Sequence, residues 1–471
     1  MSLSYMTRLP KYRKFFWTGI CWRNLHDHKP ASGISYIYGM PKEPLLSLTI
    51  PDVIRAAASE APHRTFVISR HQQQYKTFSD VNRDANRLAH GLHALGVKKG
   101  DRVGIWSPNC YEWIVTQFGT AKLGAIMVNV NPGYREQEFL YCANLVNCHT
   151  LVFAQQFKSS NYCEILSNIS PGILQQKDSL NLSCKELPDL KNLICLSPLM
   201  GTKETAPANV TRFDDIIKSS SDEEFRKDSI TFDDAINIQF TSGTTGHPKG
   251  ATLAHHSIIN NAYSSGQRFL EGLLGEKPVS LCVPNPLYHT FGSVNGSLTA
   301  ALFRCTIVLP SATAQAGDTL NAIHEFKSNV IYGTPTMYID ILSHSRKGLD
   351  LTSVERGIMS GAPCPKETIL KVKREVFPNC SHLSIPYGTT ETSPVITMPK
   401  SDVPERYAYD TVGQVLDHVE VKIANPETGS VVSLGESGEV MTRGYHTFIG
   451  YWKQAEKTAE VLDDRRWYHT G

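Results

Sequence analysis

The sequence predicts an α/β fold built from two packed β-α-β subdomains and a small antiparallel β unit. The chain has 471 residues, which exceeds one ordinary hydrophobic core. Between about residues 100 and 390, short apolar runs alternate with segments of helical periodicity, a pattern that favours parallel sheet covered by helices. After about residue 411, short strands and turns replace that alternation. We therefore predict an α/β domain at 31–400 and a small β subdomain of it at 401–471.

The first β-α-β stretch begins at Gly100. Apolar residues recur at helical spacing from Trp113 to Ala121, and the preceding Ser-Pro-Asn at 107–109 is typical of a turn and helix cap. Strands are predicted at 103–106, 125–130 and 151–153, with a second helix at 136–145.

A polar, irregular stretch at about 170–230 is expected to form surface connections, and the alternation resumes after it. Residues 293–310 are the most apolar segment, but they include Asn295 and Arg304, which favours a buried helix followed by a strand over a membrane span. Further strands are predicted at 236–240, 279–283, 305–309, 330–332, 357–359 and 383–386, and in the antiparallel unit at 419–423, 430–432 and 439–441.

The composition excludes several classes of protein. A net charge of +2, with 41% hydrophobic and 20% charged residues, fits a globular protein and gives no field that would attract nucleic acid. No run of about twenty apolar residues occurs, so no transmembrane segment is predicted. The eleven cysteines include no C-x-x-C pair, which favours reduced thiols over disulfides or a zinc site.

The N-terminal segment differs from the rest of the chain. No acidic residue precedes Asp27, whereas arginines, lysines and aromatic residues are frequent there. Such a leader is typical of a mitochondrial transit peptide, so residues 1–30 predict a location in the mitochondrial matrix. A basic tail that contacts nothing, or an incorrect start site, would give the same pattern.

The most informative segment lies directly after the predicted strand at 236–240. Residues 240–250 read Phe-Thr-Ser-Gly-Thr-Thr-Gly-His-Pro-Lys-Gly, with three glycines, four hydroxyl side chains and one lysine. Glycines let backbone N–H groups turn toward a phosphate, hydroxyls add donors, and lysine adds a mobile positive charge. A flexible polar turn would need only two or three such residues. The spacing differs from the Walker pattern, so we predict a different phosphate loop, formed by Thr241, Ser242, Gly243, Thr244, Thr245, Gly246 and Lys249.

This segment resembles the nucleotide loop of the AMP-forming acyl-adenylate family, which includes acyl-CoA synthetases, luciferases and peptide-synthetase adenylation domains. Further motifs follow in family order and extend the resemblance over about residues 45–471. They lie at 284–292, 333–337, 360–363, 387–391, 438–444, 450–452 and 467–471. Within the family, residues 33–39, 237–252 and 284–289 are most similar to the mitochondrial medium-chain branch. The resemblance implies activation of a fatty acid by ATP with Mg²⁺, through acyl-AMP, to a CoA thioester.

The resemblance also implies roles for individual residues. Lys249 and the hydroxyls of its loop would hold the β- and γ-phosphates. In the Tyr-Gly-Thr-Thr-Glu segment, Tyr387 would stack on adenine beside Gly388 and Thr389, Thr390 would contact the α-phosphate, and Glu391 would bind Mg²⁺. His289 would steer the carboxylate. The turn formed by Gly361, Ala362 and Pro363 would form a wall for the adenine, and Gly292, Ser293 and 334–337 would form walls of the acyl channel.

Each of these residues also has a purely structural interpretation. Glu391 could cap a surface helix, His289 could be a satisfied structural histidine, and the wall residues could belong to the core. The family motif at the end of the sequence normally continues with an aspartate that binds ribose and then with a small C-terminal domain. We expect that domain to be absent from this chain, and both half-reactions to be incomplete. A non-catalytic nucleotide- or acyl-binding form, or adenylation for a carrier protein or for light emission, therefore remain alternatives.

Overall fold

The computed structural model describes residues 33–176, 182–197, 207, 209–226, 229–241, 246–275 and 277–471. The predicted transit peptide at 1–30 lies outside these residues. Two large, mostly parallel sheets and a four-stranded antiparallel sheet confirm the predicted α/β fold class. One hydrophobic core extends through both large sheets, and a second cluster covers the far side of the seven-stranded one.

The larger sheet has eight strands. They run parallel except at the two junctions formed by Lys249–Ala254, where pairing is antiparallel. The parallel strands read as nearly continuous apolar runs because both faces of the sheet are covered. In spatial order the strands are Thr211–Arg212, Asn192–Cys195, Cys148–Phe153, Arg102–Trp106, Ile126–Val130, Ala235–Thr241, Lys249–Ala254 and Gly450–Tyr451.

The second sheet has seven strands, all parallel except for one terminal hairpin. In spatial order they are His382–Ser384, Arg356–Met359, Val330–Gly333, Ser280–Cys282, Thr306–Leu309, Thr65–Ser69 and Gln74–Thr77. Phe66 connects this sheet to the helices beside it, because its ring stacks on Phe78 at 4.5 Å and contacts Phe118 edge-on at 5.9 Å. Aromatic contacts of this kind fix the packing between layers.

Helices cover the sheets and connect successive strands. Tyr111–Leu123 is buried on all sides, and Phe78–Ala94 begins with a capping box between Thr77 and Asp80. The predicted cap at 107–109 is wrong. Cys110 is the N-cap and makes no side-chain cap, because the Asn109 side chain is engaged with the backbone of Asn285 and Leu287. The other helices among the described residues are Ile50–Glu60, Glu136–Leu145, Tyr162–Ile169, Ile173–Gln175, Phe213–Ser219, His255–Phe269, Thr290–Gly292, Ser293–Leu298, Thr299–Phe303, Ala316–Phe326, Pro335–Ser343, Lys366–Glu375, Thr390–Thr392, Glu405–Asp410 and Ala455–Ala459.

The antiparallel sheet combines both ends of the described chain. Its strands, in order, are Tyr36–Tyr38, Val419–Ala424, Glu439–Gly444 and Tyr468–His469. The predicted strand at 430–432 is wrong, since that segment forms only a single bridge, from Val431 to Ala424. Tyr36–Tyr38 pairs with this edge of Val419–Ala424 only as far as Lys422. Residues 430–432 can therefore follow just the last two residues of the strand, where the Val432 N–H donates to the Ile423 carbonyl at 3.0 Å. Two-residue pairs also join Thr397–Met398 to Gln414–Val415 and Gln156–Phe157 to Ser160–Asn161.

The described parts of the stretch at 170–230 are more ordered than predicted. Asn192–Cys195 is fully buried as an inner strand of the eight-stranded sheet, and Phe213–Ser219 is a helix. The four-residue strand was missed because its apolar run is too short to show a period. In the segment 293–310, the predicted buried helix and strand are confirmed. Among the described residues, no helix has the length and apolar character needed to cross a membrane.

A candidate active site where the three sheets meet

A cleft of about 890 Å³ lies where the three sheets come together. Ligand pockets for small molecules commonly have volumes in this range. Eleven residues singled out in the sequence line it, contributed by four separate parts of the chain: Thr241, Lys249, His289, Gly361, Ala362, Pro363, Tyr387, Gly388, Thr389, Thr390 and Glu391. Gly246 is exposed and is not among the lining residues. Ser242, Gly243, Thr244 and Thr245 lie outside the described residues.

A β-hairpin sets the two ends of the predicted phosphate loop. Thr241 ends one strand, Lys249 begins the next, and the register places these two residues directly opposite each other. The loop is therefore held at both ends by the sheet. Thr241 Oγ1 is buried and has no hydrogen-bond partner among the described residues, and the same holds for Thr290 Oγ1 in the cleft wall. Buried hydroxyls without partners are uncommon, so these two favour a polar ligand in the cleft.

The segment from Tyr387 to Glu391 follows the end of strand His382–Ser384. Tyr387 forms a bridge with Thr397, and its backbone N–H donates to the Thr397 carbonyl at 3.0 Å. A short 3₁₀ helix, Thr390–Thr392, then turns the chain, and the Thr389 N–H donates to Thr392 Oγ1 at 2.9 Å. Position 388 has no room for a side chain unless the backbone moves, because a Cβ atom there would lie 1.8 Å from the Pro394 carbonyl oxygen.

Glu391 is a buried carboxylate, only 6% exposed. Its Oε1 accepts a hydrogen bond of 2.8 Å from the Tyr451 hydroxyl, and its carbonyl accepts one of 2.8 Å from the Phe448 N–H. Burial, reinforced by the Glu391 charge, raises the pKa values of Tyr451 and of the neighbouring Tyr468 well above their usual range. Both hydroxyls therefore remain protonated at neutral pH and can donate hydrogen bonds.

His289 is the N-cap of the helical stretch that begins at Thr290, and its ring is exposed to the cleft. Nδ1 accepts a hydrogen bond of 3.3 Å from the Phe291 N–H, so in the neutral ring Nε2 bears the proton. Desolvation by the surrounding protein lowers the pKa of His289, although the Glu391 charge partly opposes that shift. At neutral pH the ring is therefore uncharged and presents an N–H donor.

The turn containing Gly361, Ala362 and Pro363 follows strand Arg356–Met359. Gly361 has a φ of +88°, a left-handed conformation that glycine adopts without strain. The preceding Ser360 donates from Oγ to the Pro386 carbonyl at 2.9 Å, which joins this turn to the Tyr387 segment. Carboxyl ends of parallel strands meet at one edge of a sheet, and this edge is where ligands of open α/β sheets commonly bind.

The residues predicted to form walls of the acyl channel do not line the cleft, unlike most of those predicted to bind the nucleotide. Ser293 donates from Oγ to the His289 carbonyl, and Thr334 caps helix Pro335–Ser343. Neither they nor Gly292 nor the rest of 334–337 lines the cleft. Lining residues to which the sequence assigned no individual role include Phe291, Asn295, Glu439, Tyr451, Tyr468 and Thr470, and all of these except Asn295 lie within the family motifs. The family motif at 450–452 was the signal for Tyr451, and it indicated no role for that residue.

Comparisons with known proteins agree with this geometry. The family model described as AMP-binding enzyme matches residues 54–452. The mitochondrial medium-chain acyl-CoA ligase ACSF2 of Danio rerio is 40% identical over 94% of this chain and 72% of that protein. The putative acyl-CoA synthetase YngI of Bacillus subtilis is 33% identical over 91% of this chain and 76% of its own length.

Solved structures share the fold. The anthranilate CoA ligase AuaEII, crystallised with anthranoyl-AMP, superposes with a TM-score of 0.78 at 23% identity, covering 91% of this chain and 76% of that one. The N-terminal domain of FACL13 from Mycobacterium tuberculosis gives a TM-score of 0.74 at 21% identity, over 90% and 96% of the two chains. The family match and the identity to the curated relatives confirm the predicted resemblance: this chain belongs to the AMP-binding enzyme family.

Proposed function

We propose that this chain is an AMP-forming acid–CoA ligase that activates a fatty acid with ATP through an acyl-AMP intermediate. A carboxylate oxygen of the acid bonds to the α-phosphorus as the bond to the β-phosphate oxygen breaks, and pyrophosphate leaves. The thiolate sulfur of CoA then bonds to the acyl carbon, AMP leaves, and the thiol proton passes to solvent. The supporting observation is the convergence of eleven predicted residues on one cleft.

The arrangement of charge in the cleft suits two anionic reactants. Lys249 contributes a cation at the end of the phosphate loop, and Thr241 Oγ1 offers a hydroxyl that no described residue satisfies. His289 offers a neutral N–H, which can hold a carboxylate without ion pairing. Tyr387 and the turn at Gly361 also line the cleft, and we propose that they enclose the planar base of the nucleotide. Positioning of this kind lowers the barrier because it supplies orientation before the reaction begins.

The residues present also fit a magnesium ion that arrives with the nucleotide. Mg²⁺ commonly binds proteins through one or two carboxylates together with substrate phosphates. Glu391 provides one buried carboxylate oriented by Tyr451, and the described residues contain no group of three or more acidic, histidine or cysteine ligands. When bound, the ion would neutralise phosphate charge. Glu391 would hold it, and Thr390, which is 9% exposed, would contact the α-phosphate beside it.

The names of the relatives support a proposed substrate class and location. The Danio rerio and human proteins, at 40% and 36% identity, are both named mitochondrial medium-chain acyl-CoA ligases. We accordingly propose medium-chain fatty acids as substrates and the mitochondrial matrix as the location, the latter also supported by the basic leader at 1–30.

The test combines binding with product formation. Calorimetry of the purified protein with ATP and Mg²⁺ should show binding that weakens in Lys249→Ala and Glu391→Gln. Loss of one charge-assisted contact, worth about 1.5–3 kcal/mol, corresponds to roughly a 10- to 150-fold weaker affinity. Pyrophosphate release and acyl-CoA formation should be followed in parallel with fatty acids of different lengths, and medium-chain acids should give the highest rate.

Lys422→Ala is the matched control. Its ammonium lies 4.5 Å from the Trp467 ring centroid, as Lys249 lies 4.5 Å from that of Tyr451, but Lys422 does not line the cleft. This variant should bind ATP like the wild type. Equal ATP affinity in the wild type, Lys249→Ala and Glu391→Gln would refute the assigned site. If none of the fatty acids tested supports pyrophosphate release, the proposed substrate class is refuted.

A further inference from the structure

Tyr451 contacts two charged residues of the cleft at once. Its hydroxyl donates to Glu391 Oε1 at 2.8 Å, and the face of its ring lies 4.5 Å from Lys249 Nζ. Glu391 and Lys249 come from chain segments more than a hundred residues apart, and Tyr451 comes from a third segment. One aromatic side chain therefore links the carboxylate proposed to hold the metal and the lysine proposed to hold the phosphates.

The surroundings of Tyr451 fix its position. Its backbone pairs with Ala251 at the edge of the eight-stranded sheet, two residues after Lys249. Its N–H donates to Thr458 Oγ1 at 2.9 Å, and its ring contacts Phe448 edge-on at 4.9 Å. The side chain is 5% exposed. A ring held by a sheet pairing, a backbone hydrogen bond and an aromatic contact has little freedom to leave either charge.

The chemistry of the tyrosine explains why such a contact is useful. A lysine and a glutamate that both face one cleft attract each other, and a direct ion pair would occupy both groups before the nucleotide arrived. The aromatic face offers the ammonium an electrostatic partner that carries no net charge. The hydroxyl gives the carboxylate a hydrogen bond while leaving its negative charge intact. Both charges thus remain available to ligands.

We propose that Tyr451 is a positioning residue that holds Lys249 and Glu391 ready for the nucleotide and its metal, an inference that rests on the proposed function. The hydroxyl and the ring of Tyr451 have roles that can be tested separately. The hydroxyl orients Glu391 and so acts on the Mg²⁺-dependent part of ATP binding. The ring positions the Lys249 ammonium and so contributes to ATP affinity whether or not the metal is present.

Calorimetry can separate the contribution of the hydroxyl from that of the ring. The dissociation constant of ATP is measured with excess Mg²⁺ and with excess EDTA, and the ratio of the two reports the contribution of the metal. Tyr451→Phe keeps the ring and should lower that ratio by about tenfold, since one hydrogen bond to a charged group is lost, with binding in EDTA unchanged. Tyr451→Leu should also weaken binding in EDTA, by roughly two- to fivefold.

Tyr409→Phe is the matched control, because Tyr409 also contacts a lysine through both its ring and its hydroxyl but lies outside the cleft. It should leave both dissociation constants unchanged. Melting temperatures without nucleotide, measured for every variant, report any loss of fold, which alone would not change the Mg²⁺ ratio.

Two results would overturn the proposal. If the wild-type ratio persists in Tyr451→Phe, the hydroxyl does not orient Glu391. If binding in EDTA is as tight in Tyr451→Leu as in the wild type, the ring does not seat Lys249. Failure of the wild type to bind ATP under both conditions would instead refute the proposed function.

Discussion

Substituting Gly388 by alanine should impair the site far more than it destabilises the protein. A Cβ atom at this position would lie 1.8 Å from the Pro394 carbonyl oxygen, 2.9 Å from its carbon and 3.1 Å from the Ile396 nitrogen. All three are backbone atoms, so no side chain can rotate away. Ordinary contacts begin at 3.4 Å, which means that one backbone must move by about 1.5 Å. Overpacking of this size costs about 1–3 kcal/mol of folding free energy.

The functional loss follows from what the displaced backbone holds. Gly388 lies between Tyr387 and the segment with Thr390 and Glu391, all of which line the cleft. A displacement of about 1 Å in a positioning group can reduce the rate about a hundredfold. We therefore expect Gly388→Ala to lower the kcat/KM for pyrophosphate release by about two orders of magnitude. Denaturant unfolding should meanwhile show a folded, moderately destabilised protein.

The matched control is Gly275→Ala, because a Cβ atom there meets no described residue within 4 Å and the backbone is not in the left-handed region. This variant should match the wild type in both assays. If Gly388→Ala has the same kcat/KM and the same unfolding free energy as the wild type, the Tyr387 segment accommodates the extra methyl group without loss. The reasoning from this contact would then be wrong.

Three further predictions concern stability and location. Burial lowers the pKa of His446 to about 3, so between about pH 3 and pH 6.5 the unfolded state binds one more proton than the folded state, and stability is lost as the pH falls through this range. Within that range, His446→Gln should reduce the loss of unfolding free energy by about 1.4 kcal/mol per pH unit in urea titrations. Lys122 is fully buried 2.8 Å from Glu224, and although burial raises the pKa of that carboxyl, the lysine and a nearby arginine lower it to about 2. Lys122→Met should therefore destabilise the fold by about 3 kcal/mol in denaturant. Residues 1–30 fused to a fluorescent reporter should direct it to mitochondria, as seen by microscopy.

Each of these predictions has its own control. His63→Gln changes an exposed histidine and should leave the pH slope unaltered, whereas an unchanged slope in His446→Gln would contradict the buried-histidine argument. Lys327→Met removes an ion pair that is half exposed and should cost at most about 1 kcal/mol. An equally small loss in Lys122→Met would mean that the buried pair is replaceable. A reporter that remains in the cytosol would remove the proposed location.

Local sequence patterns predicted most of the fold. The helix at 136–145 and the long parallel strands were recognised because buried runs and helical spacing are visible within a short window. Three errors share a physical cause, namely that a distant partner decided the outcome. Asn192–Cys195 is ordered by its neighbours in the sheet, and Asn109 turns from the helix toward Asn285. Residues 430–432 reach only the end of Val419–Ala424, because Tyr36–Tyr38 pairs with the rest of that edge.

The sequence by itself determined the family and the types of residue in the site, because phosphate binding requires glycines, hydroxyls and a lysine close together in the chain. The strand Lys249–Ala254 was not predicted, so the hairpin register that sets Thr241 opposite Lys249 was visible only in the structure. Tertiary structure alone decided which other groups meet there. Tyr451 could not be assigned a role in advance, since its contacts with Glu391 and Lys249 join segments that are remote in sequence and adjacent only when three sheets pack together. Contacts of that kind depend on strand order and packing, which no short window of the sequence contains.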